Sequence, residues 1–126
     1  MEEKIDKVAE MIAASRRLVV FTGAGISTES GIPDFRGPEG LWTKVDPADF
    51  TIDRFLRSAE ARKRVWQVLI EGMSLINAQP NRAHYAVAEL EKMKKLSSVI
   101  TQNIDNLHQK AGNSPRKVHE LHGNMQ

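Results

Sequence analysis

The apolar run Leu18-Val19-Val20-Phe21 passes through Thr22 straight into Gly23-Ala24-Gly25. No other feature narrows the possible folds as far. A short continuous run of β-branched and aromatic residues, bounded by turn residues, reads as a buried strand over 18–22. Glycines directly after a strand allow a sharp turn and a close approach of backbone to a ligand. Two more short runs follow, 97–101 around Val99 and Ile100, and 117-KVHEL-121 around Val118 and Leu121. Helical periodicity fills the intervals. Strands separated by helices predict an α/β fold with a Rossmann-like parallel sheet, helices on both faces and a small helical insertion.

The helical segments are read from apolar spacing. Ile5, Val8, Ala9 and Ile12 fall on one face of a helix over 2–15, with Glu2, Glu3 and Asp6 at its positive end. Val65, Val68, Leu69, Met73 and Ile76 make a stripe within 53–77, as one helix or two. Asn81 is a candidate N-cap for a helix over 82–95, with Ala83, Ala86, Val87, Leu90 and Met93 expected inward. Gly112 ends a short helix after the loop that begins at Gln102.

Composition sets limits on partners. The 126 residues suffice for one modest domain, and a net charge of +2 with scattered lysines makes no case for nucleic acid. The densest basic cluster, Lys92, Lys94 and Lys95, sits where a helix end favours cations. There is no cysteine, so disulfides and thiolate metal sites are excluded. No apolar run approaches the roughly 18 residues of a membrane helix, and the acidic N-terminus has no secretory core. A soluble, cytoplasmic protein without membrane contact is expected.

In a parallel sheet, ligands bind beyond the carboxyl ends of the strands. Three polar clusters fall there: 23–37 after the first strand, 102–105 after the second, and His122-Gly123 after the third. Gly23-Ala24-Gly25, with a helix expected to start at Ser27 or Thr28, is the form of a pyrophosphate loop. The dinucleotide fingerprint is incomplete, because Thr28 stands at the third glycine position and no acid follows at the end of a second strand about 20 residues on. Asp34, Phe35 and Arg36 lie between Pro33 and Gly37 and form either a lid over a flat ring or an Asp–Arg surface pair above a tucked phenyl. Gln102, Asn103 and Asp105 offer amide donors and acceptors, or begin a helix with Asn103 or Asp105 as its cap. His84 and His108 fall in helical segments and read as structural. His119 and His122 have HxxH spacing, but strand alternation turns them to opposite faces and no third ligand cluster exists, so no metal site is expected. His122, closing a strand before Gly123, is the general-base candidate.

Together, Gly23-Ala24-Gly25-Ile26-Ser27, Gly31-Ile32-Pro33-Asp34-Phe35-Arg36-Gly37, Thr101-Gln102-Asn103-Ile104-Asp105 and Leu121-His122-Gly123 closely resemble the signature of the sirtuins, NAD-dependent protein-lysine deacylases. The resemblance runs from the first helix to the last residue. It implies NAD as cofactor and an acetyl-lysine protein or peptide as substrate. Gly23, Ala24, Gly25, Ser27 and Thr28 would line the pyrophosphate and ribose. Ile32 and Asp34 would belong to the cofactor loop, Phe35 would shield the reaction centre, and Arg36 would hold the loop on the phosphate side. Gln102 and Asn103 would contact the nicotinamide ribose, with Asn103 also catalytic. Ile104 and Asp105 would bind the carboxamide, and His122 would be the general base in a reaction that yields lysine, nicotinamide and an O-acyl-ADP-ribose. The helical stretch 65-VWQVLIEGMS-74 lacks the Tyr and Arg, three apart, of sirtuins that prefer dicarboxylic acyl groups, which favours acetyl.

The resemblance also implies absences. Complete sirtuins carry a zinc ribbon with two Cys-x-x-Cys pairs, and then further strands; zinc is expected only in that part. The 126 residues are expected to be a partial Rossmann-like NAD-binding domain, with 38–80 as loop and helical insertion. An open sheet edge is expected to need the absent half or a second copy. NAD cleavage or mono-ADP-ribosyl transfer, and a non-catalytic nucleotide-binding module, remain as alternatives from the same residues.

Overall fold

The computed structural model describes residues 1–72 and 77–125. The apolar run forms β1, Leu18–Thr22, which pairs in parallel with β2, Leu96–Thr101; β2 pairs in parallel with β3, Val118–Glu120. The strand order is β1-β2-β3. Helix α1, Glu2–Ala14, precedes the sheet. Between β1 and β2 come a 3₁₀ turn at Ala24–Ser30, two shorter ones at Leu41–Thr43 and Pro47–Phe50, and helices α2, Ile52–Arg57, α3, Ala59–Gly72, and α4, Arg82–Lys92. Helix α5, Leu107–Ala111, lies between β2 and β3.

The register puts Val20, Val99 and Val118 side by side across the sheet. They point to one face and meet Val87 and Leu90 of α4, with Leu96 completing this core. Alternation sends the neighbouring side chains to the other face. There Val19 is 49% and Phe21 62% exposed. Helix α1 forms as its spacing predicts, but none of its residues is buried, and Ile5 and Val8 stay largely in solvent. The apolar face of α1 therefore has little to pack on within the described residues, and of its four apolar residues Ile12 alone is half-buried. Lys95 joins α1 to the sheet instead, its ammonium donating to the carbonyls of Ala13 and Ser15 at the end of that helix.

Polar caps set the other boundaries. Ser58 separates α2 from α3, and its Oγ accepts from the Ala61 N–H at 3.2 Å as an N-cap. Asp49 binds Arg64 at 2.5 Å and Arg54 at 3.0 Å, which ties the Pro47–Phe50 turn to both helices. The Arg64 hydrogen bond is the main reason the buried Asp49 carboxyl titrates below its ordinary range. Of the apolar stripe read in 53–77, Val65 is buried and Val68 and Leu69 are half-buried, while Met73 and Ile76 lie outside the described residues. Helix α4 ends at Lys92, earlier than expected, because Lys94 turns into the left-handed region at φ 59°. The inward face of α4 agrees with expectation at Val87 and Leu90 and differs elsewhere. Ala83, Ala86 and Met93 are exposed, and His84, Val87 and Ala88 are buried. β3 is shorter than read, and Leu121 lies in the exposed turn beyond it.

Candidate functional site

The site begins where β1 and β2 end together. Thr22 and Thr101 are register partners and both are buried. The Thr22 hydroxyl donates to Thr101 Oγ1 at 2.9 Å, and Thr101 Oγ1 also accepts from the Asn103 N–H at 3.0 Å. Beyond these residues the two strands diverge into loops, and Asn103 joins them. Its Nδ2 donates to the Gly23 carbonyl at 3.0 Å and to Ser27 Oγ at 3.2 Å. Ser27, fully buried, donates in turn to Asp105 Oδ2 at 2.7 Å. The other oxygen of Asp105 accepts from the Leu107 N–H at 3.0 Å. Gly23, Ser27, Asn103 and Asp105 are thereby stitched into one polar wall. The N-cap position of α5 belongs to Asn106, in the left-handed region at φ 61°, but the side chain that satisfies the first N–H of the helix is that of Asp105; Asn103 takes no part in the cap.

The sequence reading missed what stands behind this wall. His84 and His108 are both within 2% of complete burial, with ring centroids 5.1 Å apart in an edge-on contact. His84 Nδ1 accepts the N–H of Asn81 in a capping box, so the ring proton sits on Nε2 and points to Ser27 Oγ at 3.5 Å. His108 Nε2 meets Thr22 Oγ1 at 2.9 Å, and its Nδ1 has no partner among the described residues. Because Thr22 gives its own proton to Thr101, it receives one from His108. Burial keeps both rings uncharged. It lowers the pKa of His84, against a weaker opposite pull from Asp105, and brings that of His108 down to about 4, with His84 adding to the effect. The signal for His84 was available: it stands at the third position after an Asn N-cap, where a side-chain acceptor completes a capping box. Nothing comparable marks His108.

The segment after the wall is folded on itself. The 3₁₀ turn starts at Ala24, earlier than the helix expected at Ser27 or Thr28, and its first hydrogen bond runs from the Ile26 N–H to the Gly23 carbonyl. Gly31 closes it at φ 84°, and Ile32, buried, donates its N–H to the Ser27 carbonyl. Asp34 does not pair with Arg36; its Oδ1 accepts from the Gly37 N–H at 2.8 Å. Phe35 is not tucked under the loop. It is 49% exposed and lies against Trp42 at 5.2 Å, and Trp42 meets Phe50 at the same distance. A Cβ on Gly40 would stand 2.7 Å from the Phe35 carbonyl, so only glycine lets the Phe35 turn close here.

The remaining candidates do not hydrogen-bond into this wall, although the Gln102 N–H donates to the Thr22 carbonyl at 3.0 Å beside it. Arg36, Gln102 and His122 are exposed, and Ala24 and Ile104 are half-buried. Thr28 bonds to the Gly25 carbonyl at 3.0 Å. His122 occupies the turn after β3. That turn is held through Glu120, which accepts from Gln109 and Asn124, and through the Met125 N–H, which donates to the Ile104 carbonyl at 3.1 Å. A Cβ on Gly25 would meet no atom within 4 Å, so the space beside this turn is open. Neutral amides, hydroxyls and one carboxylate beside an open glycine turn fit a dinucleotide's ribose and carboxamide. A groove of about 560 Å³ lies elsewhere, along α3 beside Arg62, Trp66 and Ile70, and none of these residues lines it.

Residues 23–126 match the Sir2 family, and that stretch contains every residue of the wall. The chain belongs to the Sir2 family. It is 54% identical to the NAD-dependent protein deacylase 2 of Archaeoglobus fulgidus over 99% of this chain and 48% of that protein. It is 56% identical to an NAD-dependent protein deacetylase of Sulfolobus acidocaldarius over 98% of this chain and 47% of that one. A solved Sir2 enzyme superposes with a TM-score of 0.88 at 53% identity, with 99% of this chain and 48% of that chain covered. A Sir2 solved with deacetylated p53 peptide and 3′-O-acetyl ADP-ribose superposes at 0.84 and 45% identity, over 95% of this chain and 47% of that chain. The chain spans about half the length of the Sir2 proteins it matches.

Proposed function

We propose that this chain forms the nicotinamide side of an NAD site and serves an NAD-dependent protein-lysine deacetylase. The carrying observation is the Ser27–Asp105–Asn103 hydrogen-bonded wall at the carboxyl ends of β1 and β2, in a member of the Sir2 family. Bound NAD supplies an electrophilic ribose carbon with nicotinamide as its leaving group.

The residues then divide the work. Gly23, Ala24, Gly25 and Thr28 receive the pyrophosphate and ribose at the open turn. Asp105, already fixed by Ser27 and Leu107, accepts from the carboxamide, which docks along Ile104. Gln102 and Asn103 orient the ribose. Phe35, carried on the turn that Ile32 and Asp34 anchor, covers the reacting centre and excludes water, with Arg36 on the phosphate side. His122 takes a proton from a ribose hydroxyl as general base. In this reading the segment 38–80 is a helical module inserted into the partial NAD-binding domain. The substrate is an acetyl-lysine protein or peptide, since the described part of 65–74 offers no Tyr–Arg pair for an acidic acyl chain. The expected location is the cytoplasm.

The test measures nicotinamide release with and without an acetyl-lysine peptide, alongside calorimetric binding of NAD to the chain. Peptide-dependent release that His122→Ala removes supports deacetylation. Release independent of peptide points to NAD cleavage or ADP-ribosyl transfer. Binding that survives Gly25→Trp overturns the site itself.

A further inference from the structure

The proposed chemistry uses neither buried imidazole. We propose that His108 is a positioning residue for the dinucleotide pocket: through Thr22 and Thr101 it fixes the main chain of Asn103, and through its contact with His84 it steadies Ser27 and Asp105. The proposal rests on the wall being the nicotinamide side of an NAD site.

The hydrogen bonds are directional. His108 Nε2–H donates to Thr22, Thr22 donates to Thr101, and Thr101 receives the Asn103 N–H as its second acceptor contact. Without the imidazole donor, nothing holds the Thr22 hydroxyl toward Thr101, and the Asn103 N–H loses a fixed acceptor. His84 forms a parallel branch, with its proton placed on Nε2 by the Asn81 N–H and directed to Ser27, which donates to Asp105. The edge-on ring contact couples the branches. A leucine would fill the same volume without burying a polar atom, whereas His108, at 2% exposure, leaves Nδ1 without a partner among the described residues. A buried polar atom without a partner is a cost to stability, so packing alone does not account for an imidazole here. Its Nε2 donor does.

The test reads amide hydrogen exchange by NMR in the 126-residue chain, comparing Asn103 with Val99 in the core of β2. Thr22→Val, near-isosteric but without the hydroxyl, and His108→Leu are expected to speed Asn103 exchange about tenfold relative to Val99, the equivalent of one buried hydrogen bond. His108→Gln keeps an N–H donor and is expected to restore protection at Asn103. If Asn103 and Val99 change in parallel in all three variants, His108 only fills space and the proposal is overturned. Should His108→Leu fail to fold, Thr22→Val decides. A second arm titrates NAD and ADP-ribose: His108→Leu is expected to weaken NAD more than ADP-ribose, and equal losses overturn the positioning role. If the unaltered chain binds neither ligand, the dinucleotide reading fails, and the exchange data still decide whether His108 positions Asn103.

Discussion

Mild acid is expected to loosen the protein through its two buried rings, His84 and His108, and the effect of His108 can be sized. His108 titrates at about 4 in the fold, against an ordinary value near 6.5, because burial disfavours its charged form. Protons therefore bind the unfolded chain first. The stability contributed by the neutral ring is complete above pH 6.5 and is lost as the pH falls from there toward 4. Between pH 7 and pH 5 the loss attributable to His108 is about 2 kcal/mol, and it reaches about 3 kcal/mol near pH 4. The charged or titratable groups acting on the ring are His84 of α4, which reinforces the shift, and Asp105 of the β2–α5 loop, which opposes it more weakly. The low-titrating carboxyls of Asp49 and Glu91 act in a lower window, because their contributions are lost only as the pH falls below the ordinary carboxylate range. Urea unfolding at pH 7, 6 and 5 measures the slope. His108→Gln cannot titrate and is expected to flatten the curve by about 2 kcal/mol over that interval. Equal slopes for the two proteins would refute the assignment of a buried neutral imidazole at position 108.

Further expectations rest on single contacts. Val99→Ala, at a fully buried position, is expected to cost about 2 kcal/mol by urea unfolding, whereas Val19→Ala on the same sheet costs about 1 kcal/mol or less. Gly40→Ala forces the Phe35 turn open and is expected to reduce NAD affinity in calorimetry more than it lowers the melting temperature. Lys94→Gly relieves the left-handed backbone after α4 and is expected to stabilise the chain by up to about 1 kcal/mol, read from the same urea curves. The exposed Phe21 face and the single-sided pairing of β1 predict self-association in light scattering, which a Phe21→Lys change reduces.

The architecture was legible because it depends on local chemistry. An apolar run before glycines, two further apolar runs and helical spacing between them specify strands and helices one neighbour at a time, and β1 and the start of α4 fall where the sequence puts them. The polar wall was legible for a related reason: parallel strands bring their carboxyl ends together, which sets Gly23 and Ser27 beside Asn103 and Asp105. Apolar spacing misled in α4. In α1 it gave the helix but described a face that stays mostly exposed, with Ile12 half-buried, because amphipathicity tells which side can be buried and not whether anything covers it.

In α4 the buried face includes His84 and the half-buried Glu91, which holds Asn113 and Ser114, and hydrophobic patterning gives such polar residues no inward weight. By itself, then, the sequence determined the α/β order, the NAD-type motifs and the Sir2 resemblance. Only the tertiary structure decided that Asn103 joins the two loops, that Asp105 is held by Ser27, and that two imidazoles stand uncharged behind them. Those facts depend on hydrogen bonds between residues some 80 positions apart, such as Asn103 to Gly23 and Ser27 to Asp105. Such bonds form only once the sheet register has placed Thr22 beside Thr101.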